Sequence, residues 1–330
     1  MGQVLESSRR DFLKGYVAGA VLARSTGVLS PFFASQEKSR VVIGRDALLR
    51  GSGSGVDSDR LWKLLDKSMQ SVYGTDSPLS AWKKVVRPGE VVGLKVNGLS
   101  GVGMTTSVLL VESICERLRE AGIAQKDIVI WDRLNTDLES AGFRINSRPD
   151  RIRAIGNDTL GYEDELAIYG SVGSRLAKTL TQVCDAVINL PVLKDHGIAG
   201  VTIALKNMFG AIHNPNKYHI NVGDPYIADV NMLPPIRQKV RLHICDATTA
   251  QYEGGPSFKP QWTWPFNGLL VSTDPVALDS VGWQILEKKR AEKGVESLQA
   301  LGRAPHYIAT AADPQHRLGT TEPDRIQLDL

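Results

Sequence analysis

Short apolar runs rich in β-branched residues alternate with longer amphipathic stretches along most of this chain, and this alternation is the feature that most limits its fold. A run that is apolar throughout indicates a strand buried on both faces, and an apolar residue every three to four positions indicates a helix packed against such a sheet. The sequence therefore predicts an α/β protein with a mostly parallel sheet and helices on both faces.

The predicted elements begin at residue 40. The predicted strands span residues 40–44, 91–97, 127–132, 151–155, 185–190, 241–246 and 267–273. The predicted helices span residues 58–73, 107–121, 135–141, 171–182, 201–209, 275–289 and 296–301. Because no repeat and no linker divides this region, we expect residues 36–330 to form one α/β domain, with residues 1–35 as an export signal and linker.

The N-terminal segment resembles the twin-arginine signal of proteins that bacteria export after folding. Arg9 and Arg10 follow two serines and are followed, after one residue, by Phe-Leu-Lys. The weakly apolar residues 15–23 are too few to cross a bilayer, which takes about 20. We therefore expect the twin-arginine translocation machinery as a partner, a periplasmic or other extracytoplasmic location and no stable transmembrane anchor. No cleavage site stands out.

Charge and cysteine content exclude two classes of function. The formal net charge is only +3, so the basic surface required for nucleic-acid binding is absent. The three cysteines lie far apart and form no CxxC pair, so this chain alone offers no cysteine-ligated iron–sulfur cluster and no zinc ribbon. The sequence gives no indication of which other cofactor, if any, the protein binds.

Polar side chains follow the ends of several predicted strands. Ligands of open α/β sheets bind at the carboxyl ends of the strands, so these residues are candidates for one ligand cleft. Each could instead be a turn residue or a helix cap. The candidates are Lys95, Asn97, Asp132, Arg133, Lys194, His196, Asp246 and Asp274.

The segment INLPVLKDHGIAGVTIALKNMFGAIHNPNKYH, called here the lysine–histidine segment, is the densest in polar candidates. If residues 201–209 form a helix, Thr202 and Lys206 share one face, next to a loop with Lys194 and His196. Crowded ammonium groups in a partly dry site lower one another's pKa, and such a lysine can act as a base or bind an anion. The candidate catalytic groups are Lys194, His196 and Lys206. The segment's ligand-binding candidates are Thr202, Asn207, Lys217 and His219.

Asp279 falls within the apolar arc of the predicted helix at residues 275–289. A buried carboxylate needs a partner, and a lysine of the site is the obvious candidate. Lys206 could therefore be a structural partner of Asp279 and not a ligand-binding group. Asp274, which precedes a proline, has the form of a helix N-cap. The candidate metal ligands are Asp246, Asp274 and Asp279.

A glycine-rich stretch at residues 97–107 joins a predicted strand to a predicted helix. Its backbone N–H groups could hold an anion at the helix N-terminus. A plain turn with Thr105 or Thr106 as the N-cap explains the stretch equally well. Its glycines match neither the dinucleotide-binding pattern nor the P-loop.

The segments VGLKVN, VINLPVLKDHGIAGVTIALKNMFG, YEGGP and DPVALD occur in this order and resemble the recurrent features of a bacterial and archaeal family, domain of unknown function 362. The likeness covers roughly residues 40–330 and is greatest to members with twin-arginine signals. Many members of the family are fused to ferredoxin-like modules with cysteine motifs that this chain lacks. The resemblance implies no particular reaction.

Three functions are consistent with these residues. The first is an exported enzyme that binds a small anionic substrate or cofactor through the Lys/His/Asn/Asp cleft, with isomerase, lyase and oxidoreductase chemistry all open. In it, Asn97 and Asn207 would orient the substrate. The second is a non-catalytic cofactor-binding or redox-accessory protein that partners an iron–sulfur protein. The third is a structural passenger of the export route. We favour the enzyme.

Overall fold

Strands and helices alternate through most of the computed structural model, which describes residues 39–51, 53 and 55–330. The predicted export signal, with Arg9 and Arg10, lies outside the described residues. The strands are β1 (Arg40–Arg45), β2 (Val92–Lys95), β3 (Ile128–Asp132), β4 (Arg153–Gly156), β5 (Ala167–Tyr169), β6 (Val172–Ser174), β7 (Ala186–Asn189), β8 (Val192–His196), β9 (Gly200–Thr202), β10 (Val240–Gln251), β11 (Thr263–Trp264), β12 (Gly268–Ser272) and β13 (Asp324–Asp329). The α-helices are α1 (Ser58–Tyr73), α2 (Pro78–Val85), α3 (Val108–Glu120), α4 (Asn135–Ser140), α5 (Asn157–Leu160), α6 (Ala204–Asn207), α7 (Tyr226–Met232), α8 (Pro234–Lys239), α9 (Pro275–Glu292) and α10 (Tyr307–Ala312).

The main sheet is mixed and mostly parallel, as predicted. Its central path runs β13-β1-β12-β10-β7-β2-β3-β4. From β10 to β4 every neighbouring pair is parallel, whereas β12 runs antiparallel to both of its neighbours. Beside this path, β8 pairs in parallel with β10 and forms an antiparallel hairpin with β9. The carboxyl ends of β2, β3, β7 and β8 therefore point the same way.

Hydrophobic cores cover both faces of the sheet. Along β3, Val129 and Trp131 pack into one core and Ile128 and Ile130 into the other, because successive side chains of a strand point to opposite faces. The core around Ile128 includes buried residues of α1, α2 and α3. The other includes residues of α6, α7, α9 and α10. This is the layered arrangement that the sequence predicted.

Capping residues explain why the long helices match their predicted starts. The side chain of Asp57 accepts a hydrogen bond from the first turn of α1, and Gly74 ends that helix with a φ of 58°, which suits glycine. Asp274 Oδ1 accepts from the backbone N–H of Ala277 at 2.9 Å, so the predicted N-cap of α9 is confirmed. Among the described residues, no helix is both long and apolar enough to cross a bilayer.

Two predicted helices are absent. Residues 171–182 form β6 and then enter a π-helical turn, and residues 296–301 form turns. The first segment offered apolar spacing that suits a helix, but its start pairs with β5 in a small two-stranded sheet. Such short pairings override local helix preference through tertiary contacts.

The predicted helix at residues 201–209 is only partly correct. Its first residues form β9, and only α6 and the 3₁₀ turn Met208–Ala211 that follows it are helical. The short apolar run at residues 201–205 suits either period; pairing with β8 places Val201 and Thr202 in a strand, and the helix begins only at Ala204. Thr202 therefore lies at the end of a strand and not on a helical face shared with Lys206.

Candidate functional site

A cavity of about 300 Å³ lies at the carboxyl ends of β2, β3 and β8, the edge of the sheet at which the sequence predicted a ligand cleft. Most of the predicted site residues meet there. Those that line it are Lys95, Asn97, Asp132, Arg133, Lys194, His196, Thr202, Lys206, Asn207 and His219.

The other predicted site residues lie outside the cavity. Lys217 is exposed and donates from Nζ to a backbone carbonyl of β6. Asp246, Asp274 and Asp279 accept hydrogen bonds from backbone N–H groups at the starts of α3, α9 and α6, respectively. In the part of the chain that the structure describes, no group of three or more His, Cys, Asp or Glu is arranged to hold a metal ion. The three aspartates thus have backbone partners and form no common metal site.

Strand β8 places two site residues on one face. The sequence predicted a loop here, because Lys194, Asp195 and His196 interrupt the apolar pattern, but all three are buried within the strand. Since alternate residues share a face, Lys194 and His196 line the cavity. Asp195 accepts instead from Gly255 N at 2.8 Å, and burial raises the pKa of its carboxyl to about 6.

A buried ion pair forms the inner wall of the cavity. Lys95 Nζ lies 2.7 Å from Asp132 Oδ1, and the two side chains are only 1% and 7% exposed. Asp132 Oδ2 also accepts from Gly98 N at 2.7 Å. A Cβ on Gly210 would lie 2.8 Å from both Lys95 Nζ and Asp132 Oδ1, so only glycine fits beside the pair. Sequence reasoning missed this glycine, because its role depends on a contact distant in sequence.

Asparagine side chains connect the strands around this ion pair. Asn207 Oδ1 accepts from Asn97 Nδ2 at 2.9 Å and from Lys95 Nζ at 3.4 Å. Asn207 Nδ2 donates to Asn189 Oδ1 at 2.7 Å, where β7 ends. These bonds use most of the hydrogen-bonding capacity of Asn207 and fix the end of α6 against the sheet.

Lys194 is held by neutral acceptors. Its Nζ donates to Asn97 Oδ1 at 2.9 Å, to Ser100 Oγ at 2.5 Å and to a backbone carbonyl. No carboxylate of the described residues comes within 4 Å of it. Burial lowers the pKa of Lys194 to about 7, and the charges of Asp132 and Asp195 oppose this change only in part.

Lys206 is buried and faces the same cavity. Its Nζ lies 4.2 Å from the ring centroid of Phe209, a cation–π distance. The structure gives this amine no hydrogen-bond acceptor and no ion-pair partner among the described residues. Burial, followed by the charges of Lys194 and Lys95, lowers the pKa of Lys206 to about 7.

The imidazole of His196, one of two histidines at the cavity wall, is neutral. Its Nδ1 accepts from the backbone N–H groups of Ile198 at 3.2 Å and Ala199 at 3.1 Å, so the ring proton sits on Nε2. Burial, together with the charge of Lys206, lowers the pKa of His196 to about 2. The ring of His219 stacks on it at a centroid distance of 5.4 Å. His196, which lines the cavity, thus keeps its Nε2–H as a hydrogen-bond donor.

The glycine-rich stretch at residues 97–107 contributes side chains to the cavity region. Leu99 lines the cavity, and Ser100 binds Lys194. The N-cap of α3 is Ser107, not Thr105 or Thr106, and the Asp246 carboxylate accepts from the Ser107 N–H. That N–H is therefore already paired with a protein anion.

The YEGGP segment packs against β8 and the residue that follows it: Gly255 N donates to Asp195 Oδ1 at 2.8 Å, and Gly197 N donates to the carbonyl of Gly255 at 2.8 Å. Glu253 pairs with Arg290 and with Arg303. Its last residue, Pro256, reaches the cavity wall. These contacts explain why a segment distant in sequence contributes to the cavity.

The cavity also has lining residues that the sequence analysis did not select. Most of them belong to the lysine–histidine segment, the glycine-rich stretch or YEGGP, so membership of these segments was the available signal. The additional residues are Leu99, Asp137, Ile198, Phe209, Gly210, Pro215, Asn216 and Pro256.

Fold and site define an α/β protein with a lysine-rich cavity at the carboxyl edge of a mostly parallel sheet. The chain belongs to the family described as domain of unknown function (DUF362), whose model matches residues 92–284. A crystal structure of a Thermotoga maritima protein is similar, with a TM-score of 0.43 and 10% identity, over 74% of this chain and 60% of that chain. This chain therefore spans less than two thirds of that protein's length. A comparison with curated proteins gives no match.

Proposed function

We propose that this chain is an enzyme that binds a small organic anion in the cavity and uses a buried lysine amine as its reactive group. The observation that carries the proposal is the Lys206 amine, which faces the cavity without an acceptor among the described residues. Its pKa of about 7 gives it comparable neutral and charged populations near neutral pH. Such an amine can accept a proton or act as a nucleophile.

The charges of the cavity wall support an anionic ligand. Cationic side chains outnumber carboxylates there, and the histidines are neutral at pH 7 because their pKa values are lowered. The cations are Lys95 and Arg133, joined by Lys194 and Lys206, whose pKa of about 7 leaves each partly protonated, and the carboxylates are Asp132 and Asp137. A volume of about 300 Å³ is at the small end of the range for ligand pockets, which favours a small molecule.

Each polar group has a distinct role in this proposal. Lys194 and the Nε2–H of His196 bind the anion, and Lys206 reacts with it. Asn97 and Asn207 hold the lysines in position through the bonds described above. His196 does not transfer protons near neutral pH, because its pKa is about 2. Isomerase, lyase and oxidoreductase chemistry are all compatible with these roles.

Calorimetric titration of the purified full chain with pyruvate, lactate, malonate and phosphate, and with neutral lactamide as a comparison, tests the binding step. We expect at least one anion to bind and lactamide not to bind. Lys194→Met should weaken the binding at least about tenfold, the effect of losing roughly 1.4 kcal/mol. Lys217→Met is the matched control, since Lys217 lies outside the cavity. Absence of anion binding, or equal weakening in the control, contradicts the proposal.

The twin-arginine pattern supports the additional proposal that the protein is exported. Lysine cannot present the planar donor set of arginine, so the double variant Arg9→Lys plus Arg10→Lys should stay in the cytoplasm of a bacterium with this export route. Cell fractionation measures the result. Normal export of the double variant contradicts the signal assignment.

A second candidate is a non-catalytic accessory protein of a redox partner. Leu99 and Ile198 at the cavity wall are 55% and 58% exposed, an apolar surface that a partner could cover. An absorption spectrum and elemental analysis of protein from its native host separate the two functions. A bound chromophore or stoichiometric iron favours the accessory role. A bare protein that binds and converts a small anion favours the enzyme.

A further inference from the structure

Lys206 differs from the other two cavity lysines in how its amine is held. Lys95 Nζ has Asp132 Oδ1 at 2.7 Å and a backbone carbonyl at the same distance. Lys194 Nζ has three neutral acceptors, described above. The Lys206 amine has only the ring of Phe209 beside it among the described residues. Of the three amines, it is the one with no hydrogen-bond acceptor among the described residues.

The backbone that carries Lys206 is fixed from several sides. Asn189 Nδ2 donates to the carbonyl of Ala204 at 2.9 Å, and Asn231 Nδ2 donates to that of Leu205 at 2.9 Å. The Asp279 carboxylate accepts from the N–H groups of the same two residues. A helix of only four residues therefore presents its lysine from a defined position.

A second, independent feature of the cavity wall indicates a ligand. Thr202 Oγ1 is buried without a hydrogen-bond partner among the described residues, although Thr202 lines the cavity and is only 4% exposed. Leaving a buried hydroxyl unpaired costs about 1–3 kcal/mol, so a partner is expected. In the β8–β9 hairpin, Thr202 lies directly opposite Lys194. A hydroxyl donor and an ammonium group on paired positions suit the two oxygens of a carboxylate.

We infer that Lys206 forms a Schiff base with the carbonyl carbon of a small 2-oxo acid whose carboxylate is bound by Lys194 and Thr202. This inference rests on the proposed function, for which it names the substrate class and the reacting atoms.

The step balances without an added oxidant or reductant. The Lys206 ammonium releases a proton to water, and its lone pair forms a bond to the carbonyl carbon while the C=O π electrons move to oxygen. The attached nitrogen then loses a second proton to water and the oxygen takes up one, so the intermediate is a neutral carbinolamine. A further proton converts its hydroxyl to water, the C–O bond breaks, and a protonated imine remains. The net change is the condensation of one ammonium and one ketone with release of one water.

The surroundings favour each part of this step. Burial and the neighbouring ammonium groups keep a large fraction of Lys206 neutral near pH 7, as a nucleophilic amine requires. The neutral Nε2–H of His196 is a donor for the carbonyl oxygen, on which negative charge develops during attack.

Reductive trapping of the full chain tests the inference. The protein is incubated with pyruvate and sodium cyanoborohydride, which reduces an imine to a stable secondary amine, and is then analysed by intact mass and peptide mapping. We expect one reduced pyruvate adduct, located at Lys206. Lys206→Met should give no adduct, and Lys206→Arg, which keeps the charge, should also give none. Lys217→Met should label as the parent does, because its side chain lies outside the cavity.

Thr202→Val tests the carboxylate contact separately. This variant keeps the shape of the side chain and removes the hydroxyl, so half-maximal labelling should require at least about fivefold more pyruvate, roughly 1 kcal/mol of binding. Acetone, which lacks a carboxylate, should label Lys206 poorly in the parent and equally poorly in Thr202→Val. A Thr202→Val variant that labels at parental pyruvate concentrations overturns the carboxylate assignment.

The outcomes distinguish this inference from the proposed function. If pyruvate binds in a Lys194-dependent manner but no adduct forms, the Schiff base is overturned and the anion site stands. If pyruvate and the other small anions all fail to bind and no adduct forms, both are overturned. An adduct at Lys194, or adducts spread over exposed lysines, overturns the assignment to Lys206. Thermal melts of Lys206→Met and Lys206→Arg confirm that the missing label does not arise from unfolding.

Discussion

Asp279 Oδ1 accepts a hydrogen bond of 2.6 Å from the backbone N–H of Ala204. Asp279 is fully buried on α9, and Ala204 is the first residue of α6, the helix that presents Lys206. A second bond of 3.2 Å joins Asp279 Oδ2 to the N–H of Leu205. The expectation of a lysine partner for Asp279 is therefore wrong. Its partner is the backbone of the cavity helix, and the core helix α9 holds that helix in place.

Replacement of Asp279 should cost stability in proportion to the acceptors removed. Asp279→Leu leaves two buried N–H groups unpaired, at about 1–3 kcal/mol each. Asp279→Asn keeps one carbonyl acceptor and should lose clearly less. Urea unfolding measures both. Because no ion pair joins Lys206 to Asp279, the stability changes of Lys206→Met and Asp279→Leu should be additive in the double variant. A recovery larger than the effect of Lys206→Met alone would restore the lysine–aspartate pairing.

The Lys95–Asp132 pair should behave as a coupled buried pair. Lys95→Met leaves the Asp132 carboxylate without its cation, and removing one partner of a buried pair costs about 3–5 kcal/mol. The double variant Lys95→Met plus Asp132→Leu should recover a large part of that loss. A double-mutant cycle by urea unfolding measures the coupling. Additive losses would show that the pair contributes no interaction free energy.

Gly210→Ala should disturb the cavity by displacing the Lys95–Asp132 ion pair. The added methyl would lie 2.6 Å from Lys95 Cε and 2.8 Å from Asp132 Oδ1, so the pair must move. We expect a loss of about 1–3 kcal/mol in stability and weaker binding of pyruvate. Gly173→Ala is the matched control, because its added methyl would meet only Ile168 at 3.9 Å. Equal effects of the two substitutions would contradict the steric role of Gly210.

The sequence predicts the layered fold because uninterrupted apolar runs such as β3 can be buried only between two helical layers. The expectation that polar residues at strand ends gather at one edge of the sheet correctly places Lys95 and Asp132, at the ends of β2 and β3, at the cavity. The same expectation fails for Asp246, because β10 does not end there but continues to Gln251. Strand β8 was missed, since its buried polar residues are stabilised by contacts with distant segments that the local pattern does not reveal.

His316 should make stability depend on pH. Its Nδ1 lies 2.9 Å from Asp313 Oδ1, and its Nε2 lies 3.0 Å from Asp229 Oδ1. Burial alone would lower the pKa of His316, but the hydrogen bonds to the two carboxylates outweigh burial and raise it above 6.5. The folded state thus binds this proton more tightly than the unfolded state. Its stabilising contribution is complete below pH 6.5 and disappears as the pH rises through the folded-state pKa.

The loss of stability in His316→Gln should accordingly be largest in acid and smaller in alkali. Urea unfolding of parent and variant over a pH series measures this difference. His306→Gln provides the control, because His306 is exposed and has no carboxylate contact among the described residues. A difference between His316→Gln and the parent that stays constant with pH would contradict a charged histidine at this position.

Lys206→Met should stabilise the protein, most strongly at low pH. The pKa of Lys206 falls from 10.5 to about 7 on folding, so between these values the unfolded state binds more protons and parental stability rises with pH. Methionine keeps the aliphatic stem and removes the buried charge, and each unit of pKa difference corresponds to about 1.4 kcal/mol. The advantage of the variant over the parent should therefore be complete below pH 7, shrink as the pH rises and vanish near pH 10.5. Urea unfolding across this range measures it, with Lys217→Met as the control. A variant less stable than its parent at every pH would make Lys206 a structural residue and remove the basis for its reactivity.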